Sequence, residues 1–167
     1  MAPNIAGKAE SIFATGGKYL TFTLDDEGYG IGILKVKEII GMMPVTPIPR
    51  TPAYVNGVIN LRGKVIPVID LRMKFGLGNV EYTDRTCIIV VEIDLDGDCV
   101  LMGIVVDAVS EVLNISESEI EPPPAFGTRL DTAYILGLAK TDQGVKILLS
   151  IDSVLAEDEL TGLHETA

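Results

Sequence analysis

The sequence predicts an all-β chain folded as two small barrels side by side, with a short helix at its C-terminal end. Three observations carry that expectation. The chain is 47% apolar but only 5% aromatic, with no Trp, so its apolar content is mainly Val, Ile and Leu, and β-branched residues favour strands. Its 17 Gly and 9 Pro cut those residues into short runs bounded by turn formers. Two blocks also recur in the same order. Gly30…Val36-x-Glu38-Ile39-Ile40 is matched without a gap by Gly103…Val109-x-Glu111-Val112-Leu113. Gly57 through Val65-Ile66-Pro67-Val68-Ile69-Asp70-Leu71 is matched by Gly137 through Val145-Lys146-Ile147-Leu148-Leu149-Ser150-Ile151. A proline cluster separates the blocks each time. Such recurrence reads as a duplication, and closing each copy into an antiparallel barrel removes exposed strand edges.

Taken in order, residues 1–16 are small and polar and predict a flexible tail. Strands follow at Tyr19–Leu24 and Gly30–Val36 around the turn Asp25-Asp26-Glu27-Gly28. Pro44, Pro47, Pro49 and Pro52 exclude a helix from the next stretch. The hairpin at Val58–Ile69 comes next, and Leu71–Phe75 reads as one helical turn. Asp96-Gly97 is a tight turn between strands 86–95 and 98–106, a register that sets Cys87 opposite Val106 and Cys99 opposite Asp94. The two thiols are then too far apart to bridge. Consecutive apolar residues in Ile88–Val91 and Ile104–Val106 point to opposite faces, one to fill a barrel and one to pack between barrels. Ser116-Glu117-Ser118-Glu119 has the spacing of a capped turn. Strands at Tyr134–Ala139 and Val145–Ile151 precede a helix at Ser153–Leu160. The expected organisation is a tail over 1–16, a first lobe over 17–80, a second lobe with the helix over 81–160, and a fraying end over 161–167.

Charge and composition exclude several classes of function. The formal net charge is −11, from 13 basic and 24 acidic residues, a surface that repels phosphate backbones and anionic membranes. A barrel that binds single strands needs a basic groove with stacking aromatics, so no nucleic-acid partner is expected. The apolar run Val100–Val106 is too short to span a bilayer. The N-terminus lacks a signal-peptide core, so a cytoplasmic location without membrane insertion is expected.

The search for an enzyme yields no catalytic set. The one histidine is His164, in the expected tail, which leaves no nucleophile–imidazole pair. No Cys, His or carboxylate cluster has metal-ligand spacing, and Asp94, Asp96 and Asp98 surround a hairpin turn without the closing glutamate of a calcium loop. Gly57…Gly63-Lys64 departs from a phosphate loop in spacing and in Val65. A carboxylate site without a signature stays open, but the sequence calls for no cofactor and no metal.

The most informative stretch is Tyr54–Arg72. The turn Asn60-Leu61-Arg62-Gly63 separates two apolar runs and reads as a β-hairpin, with Gly63 suited to positive φ and Asn60 tolerant of it. Pro67 cannot donate to a ladder and predicts an edge strand or a bulge. Arg62 is either a solvated turn residue or a contact residue; its repeat counterpart is Asp142, and divergence at that place favours a specialised role.

These motifs resemble a known family. Tyr29-Gly30-Ile31…Leu34-Lys35-Val36-Lys37-Glu38-Ile39, Thr51-Pro52-Ala53, Gly57-Val58-Ile59-Asn60-Leu61-Arg62-Gly63, Pro67-Val68-Ile69-Asp70-Leu71-Arg72 and Gly103-Ile104-Val105-Val106-Asp107…Val109-Ser110-Glu111-Val112-Leu113 are similar, in order and spacing, to the CheW family of chemotaxis coupling proteins. The likeness runs from about Lys18 to Leu160 and extends, more distantly, to the regulatory domain of the chemotaxis histidine kinase. It implies two five-stranded barrels of SH3-like type and a non-enzymatic adaptor. The implied partners are the kinase's regulatory domain and the cytoplasmic tips of methyl-accepting receptors. The receptor tip is a helical hairpin, which would dock by placing apolar anchors in an apolar groove. The family's contact positions fall on Val36, Glu38, Gly57 and Arg62, with Asn60 in the same turn; Val109 and Val112 line the groove in the second half. Val36 is either contact or core. Glu38 and Arg62 can pair: buried, the pair would fix the turn; exposed, it would leave Arg62 free as an anchor.

Overall fold

A computed structural model describes residues 16–78, 80–123 and 134–156. The expected tails at 1–16 and 161–167 therefore lie outside the described residues except for Gly16, as does the expected helix beyond Ala156. Among the described residues eleven strands run in order: β1 Gly17–Leu24, β2 Glu27–Gly32, β3 Val36–Gly41, β4 Val55–Leu61, β5 Lys64–Asp70, β6 Cys87–Leu95, β7 Asp98–Val106, β8 Ala108–Ile115, β9 Ile120–Glu121, β10 Ile135–Thr141 and β11 Gly144–Leu149. Helical turns occupy Leu71–Lys74 and Ile151–Leu155. Each begins at a side-chain cap, with Asp70 accepting from the Arg72 and Met73 N–H groups and Ser150 from that of Ser153.

The strands form a five-stranded sheet in the order β3-β6-β7-β5-β4 and a six-stranded sheet in the order β8-β1-β2-β11-β10-β9. Both curl shut. The chain leaving β3 reaches Thr46, which exchanges two backbone hydrogen bonds with Val58 of β4 (2.8 and 2.9 Å). In the other sheet the chain leaving β8 turns at Glu117–Glu119 and returns as β9 against β10. That turn carries the expected Ser116–Glu119 capping box.

The duplication is visible in the registers. In the five-stranded sheet Val68, Ile69 and Asp70 pair with Gly103, Ile104 and Val105. In the six-stranded sheet Ile147, Leu148 and Leu149 pair with Tyr29, Gly30 and Ile31. The repeat-matched pairs Val68–Gly103 and Leu148–Gly30 are thus aligned alike. Both of these pairings are parallel, where wholly antiparallel barrels were expected.

The sheets cut across the expected boundary at residue 80. The five-stranded barrel takes β3, β4 and β5 from the first repeat and β6 and β7 from the second. The six-stranded barrel takes β1 and β2 from the first repeat and β8 to β11 from the second. Each repeat lends its leading hairpin to the other's barrel. The expected strand Gly30–Val36 is broken accordingly: a 3-10 turn at Ile33–Lys35 carries the chain from one barrel to the other.

Burial follows this layout. Ile59, Ile66, Val68, Ile88, Val90 and Val105 fill the five-stranded barrel, and Tyr19, Ile115, Ala139 and Leu148 fill the other. Ile89, Val91, Ile104 and Val106 face the opposite way and join Leu20, Phe22, Ile31 and Leu149 in a core shared between the barrels. The Cys87–Val106 and Cys99–Asp94 pairings are observed, and both thiols are free. Pro67 sits inside the sheet, not at an edge. The N–H and C=O of its partner Val58 both turn away to Thr46, so Val58–Pro67 is a non-hydrogen-bonded pair and the missing donor costs the β4 ladder nothing.

Candidate functional site

The β4–β5 hairpin closes through Arg62 and Gly63, with φ of 52° and 89°. This is a type I′ turn, whose twist matches the flanking strands. Asn60 stays within β4, and its Oδ1 accepts the Gly63 N–H at 2.8 Å. Arg62, not Asn60, therefore takes the left-handed conformation, which costs a non-glycine residue about 1–2 kcal/mol.

Closure of the five-stranded barrel brings β3 alongside this turn, where Arg62 Nη2 bonds Glu38 Oε2. A bulge in β3 makes that possible. Val36 pairs with Val91 and Glu38 with Val90, so the extra residue, Lys37, sends the two side chains to opposite faces. Val36 turns towards the shared core and packs against it, half-buried. Glu38 turns to the open end of the barrel. The Arg62 side chain is 70% exposed and that of Glu38 30%, so the pair is of the exposed kind, worth roughly 0–1 kcal/mol to the fold. Around it opens a pocket of about 310 Å³ with Leu61, Ile66, Val90 and Leu101 beneath and Lys37 and Lys64 at the rim.

The structure brings together Glu38, Asn60 and Arg62 but sets the other candidates elsewhere. Val109 and Val112 stand opposite Phe22 and Leu20 on edge strand β8, on the face turned to the shared core. Val109 packs against that core, and Val112 remains 48% exposed. Gly57 lies under the Thr46 segment. A Cβ there would stand 2.1 Å from the Thr46 carbonyl oxygen, so its role is to let two backbones meet. Any side chain at 57 strikes the segment that closes the barrel, so Gly57 acts as a backbone contact of the fold and offers no side chain to a partner.

Sequence reasoning missed the groups that join the barrels. Arg72, with a side chain 9% exposed, donates from Nη1 to Asp107 Oδ2 (2.9 Å) and pairs with Asp25 Oδ1 (3.4 Å). It also donates to the Leu77 and Gly78 carbonyls. Burial lowers its pKa, but the Asp107 hydrogen bond and the charges of Asp107 and Asp25 outweigh this and hold it above the ordinary value. Asp107 Oδ2 also accepts the Asp25 N–H at 2.8 Å, tying in the β1–β2 turn. On the other side Lys35 Nζ pairs with Asp152 Oδ2 at 2.6 Å, and Asp152 Oδ1 accepts the Asp94 N–H at 3.1 Å. A second polar chain runs from Asn56 Nδ2 to Tyr82 Oη and on to Asp70 Oδ2; burial is the leading cause that raises the Tyr82 pKa. Among the described residues no His, Cys, Asp and Glu group is placed to hold a metal, and no helix is long and apolar enough to cross a membrane.

Comparison with known proteins adds to this geometry. A family model described as the CheW-like domain matches residues 18–159. The chain belongs to the CheW-like family. It is 44% identical over 152 residues to a chemotaxis protein CheW of Klebsiella aerogenes, covering 91% of this chain and 89% of that one. With the CheW of Rhizobium meliloti it shares 35% identity over 144 residues, covering 86% and 90%. A solved structure, the scaffolding protein TtCheW of Thermoanaerobacter tengcongensis, superposes with a TM-score of 0.75 at 40% identity, covering 87% of this chain and 96% of that one. The CheW-like family is one of chemotaxis signalling, and the SH3-like two-barrel expectation agrees with this structural neighbour.

Proposed function

We propose that this chain is a non-enzymatic adaptor that couples methyl-accepting chemotaxis receptors to the regulatory domain of the chemotaxis histidine kinase. The observation that carries the reading is the Glu38–Arg62 pair on its left-handed turn. It spends conformational energy to present an exposed arginine over an apolar pocket, and it contributes little to the fold in return. Arginine beside apolar surface is a common interface anchor. Its place in the CheW-like family and the chemotaxis proteins among its relatives support the same reading. The half-buried valines beside the shared core, Val36 and Val109, with the exposed Val112, suit the apolar side of a receptor helix.

The test is receptor-dependent kinase activation reconstituted with and without this chain, which is expected to depend on it. Arg62→Ala and Arg62→Gly should both keep the fold and weaken association with receptor or kinase. Glycine relieves the left-handed strain and should be the more stable of the two by about 1 kcal/mol, measured by urea unfolding. Undiminished capture of both partners by the folded variants would remove Arg62 from the site.

A further inference from the structure

The two latches between the barrels occupy corresponding places in the two repeats but carry opposite charge. Arg72 and Asp152 are each the second residue of the helical turn that follows β5 and β11. Lys35 and Asp107 each immediately precede the strand that leaves for the other barrel, β3 and β8, and lie within one position of each other in the repeat alignment. The latch from the first repeat to the second is Arg72–Asp107 at 2.9 Å. The latch from the second to the first is Asp152–Lys35 at 2.6 Å. The first repeat thus supplies both cations and the second the two anions that cross to meet them, while Asp25 of the first repeat adds a longer contact to Arg72 at 3.4 Å.

We infer that these four charges are a pairing code: they make a first repeat accept only a second repeat, whether from its own chain or from another copy. The strand exchange makes the choice necessary. Because the parallel registers of the two barrels coincide, a first repeat offers another first repeat the same ladder positions as a second repeat does. Backbone pairing alone does not discriminate. Two first repeats would bring Arg72 against Lys35 at both latches, and two second repeats would bring Asp152 against Asp107. Selectivity built from repulsion in the wrong pairing is a recognised device. Arg72 is the stronger element, since its side chain is only 9% exposed and little water reaches it to screen a wrong neighbour. This inference stands apart from the adaptor reading and does not depend on it.

The test uses two full-length variants. One carries Asp107→Lys with Asp152→Lys, making both of its repeats cationic at the latches; the other carries Lys35→Glu with Arg72→Glu, making both anionic. Refolded alone, each should be a monomer with its unfolding midpoint lowered by about 5 °C or more. Refolded together, they should form a 1:1 dimer of twice the mass with much of the midpoint restored. In that dimer one barrel pair carries the native latch charges and the other carries them reversed. If either variant fails to fold alone, a folded dimer is still expected from the mixture and only from it. A mixture that stays monomeric and as unstable as its components, or that gives no folded species, overturns the code, as does dimerisation of either variant by itself. The exposed latch supplies a second measurement, because Lys35→Glu and Asp152→Lys should each lower the midpoint in one chain and recover it when combined. Additive losses would overturn the code at that latch.

Discussion

At the scale of single residues, the candidate site consists of a few positions whose backbone or charge runs against local preference. Arg62 adopts a conformation that glycine would hold more cheaply. Gly57 is needed because the Thr46 carbonyl occupies the space of a side chain. Gly57→Ala is accordingly expected to detach the Thr46 segment, with a loss of about 1–3 kcal/mol in urea unfolding, the range of overpacked substitutions. The amides of Thr46 and Val58, which bond each other's carbonyls, should exchange with solvent faster. Protection equal to wild type would show that the chain yields elsewhere. The sequence exposed Arg62 and Asn60 through the hairpin signal and the divergence of the repeats, and Glu38 through the family resemblance. It could not separate Val36 from Glu38. The two share a face by strand alternation, and only the bulge at Lys37, which leaves no mark in the residue types, turns them apart.

At the scale of elements, hairpins and caps were legible and crossovers were not. The Asp96-Gly97 turn, the registers of both cysteines and the Ser116–Glu119 box depend on residues close in the chain, and local chemistry specifies them. The break at Ile33–Lys35 follows directly on Gly32, its N-cap, but a lone glycine in a strand pattern reads equally as a bulge, so it does not announce that the chain changes barrels. The box also makes a pH-dependent element. Hydrogen bonds from the Ser116 N–H and hydroxyl hold the Glu119 carboxyl below its ordinary value. A carboxyl lowered in the folded state stabilises fully above its unfolded value and loses that effect as pH falls through the folded one. The Ser116 amide resonance should therefore shift with a midpoint below the usual glutamate range, and Glu119→Gln should abolish the shift. A midpoint at the ordinary glutamate value would mean that the carboxyl makes no such bond in solution.

At the scale of the whole molecule, the fold class came from composition and the duplication from matched blocks. The partition of strands between barrels depends on contacts far apart in sequence and was out of reach. The same distance hid the latches: Arg72, Asp25 and Asp107 look like ordinary surface charges until the barrels meet. Arg72→Met should cost about 1.5–3 kcal/mol, the value of hydrogen bonds to a charged group. That is less than the loss from a fully buried pair, because Asp107 and Asp25 keep 30% and 59% of their side-chain exposure. A denaturant midpoint within error of wild type would show that the two barrels hold without it. The shared hairpins also bear on how the polypeptide acquires its shape during translation. Neither barrel is complete when the first eighty or so residues leave the ribosome, since the five-stranded one lacks β6 and β7 and the six-stranded one lacks β8 to β11. The nascent chain must keep its early hairpin unpaired from the emergence of β2 until β8 and β11 follow, which makes most of synthesis a window of exposure to chaperones and to aggregation and the arrival of the last strands the event that closes it.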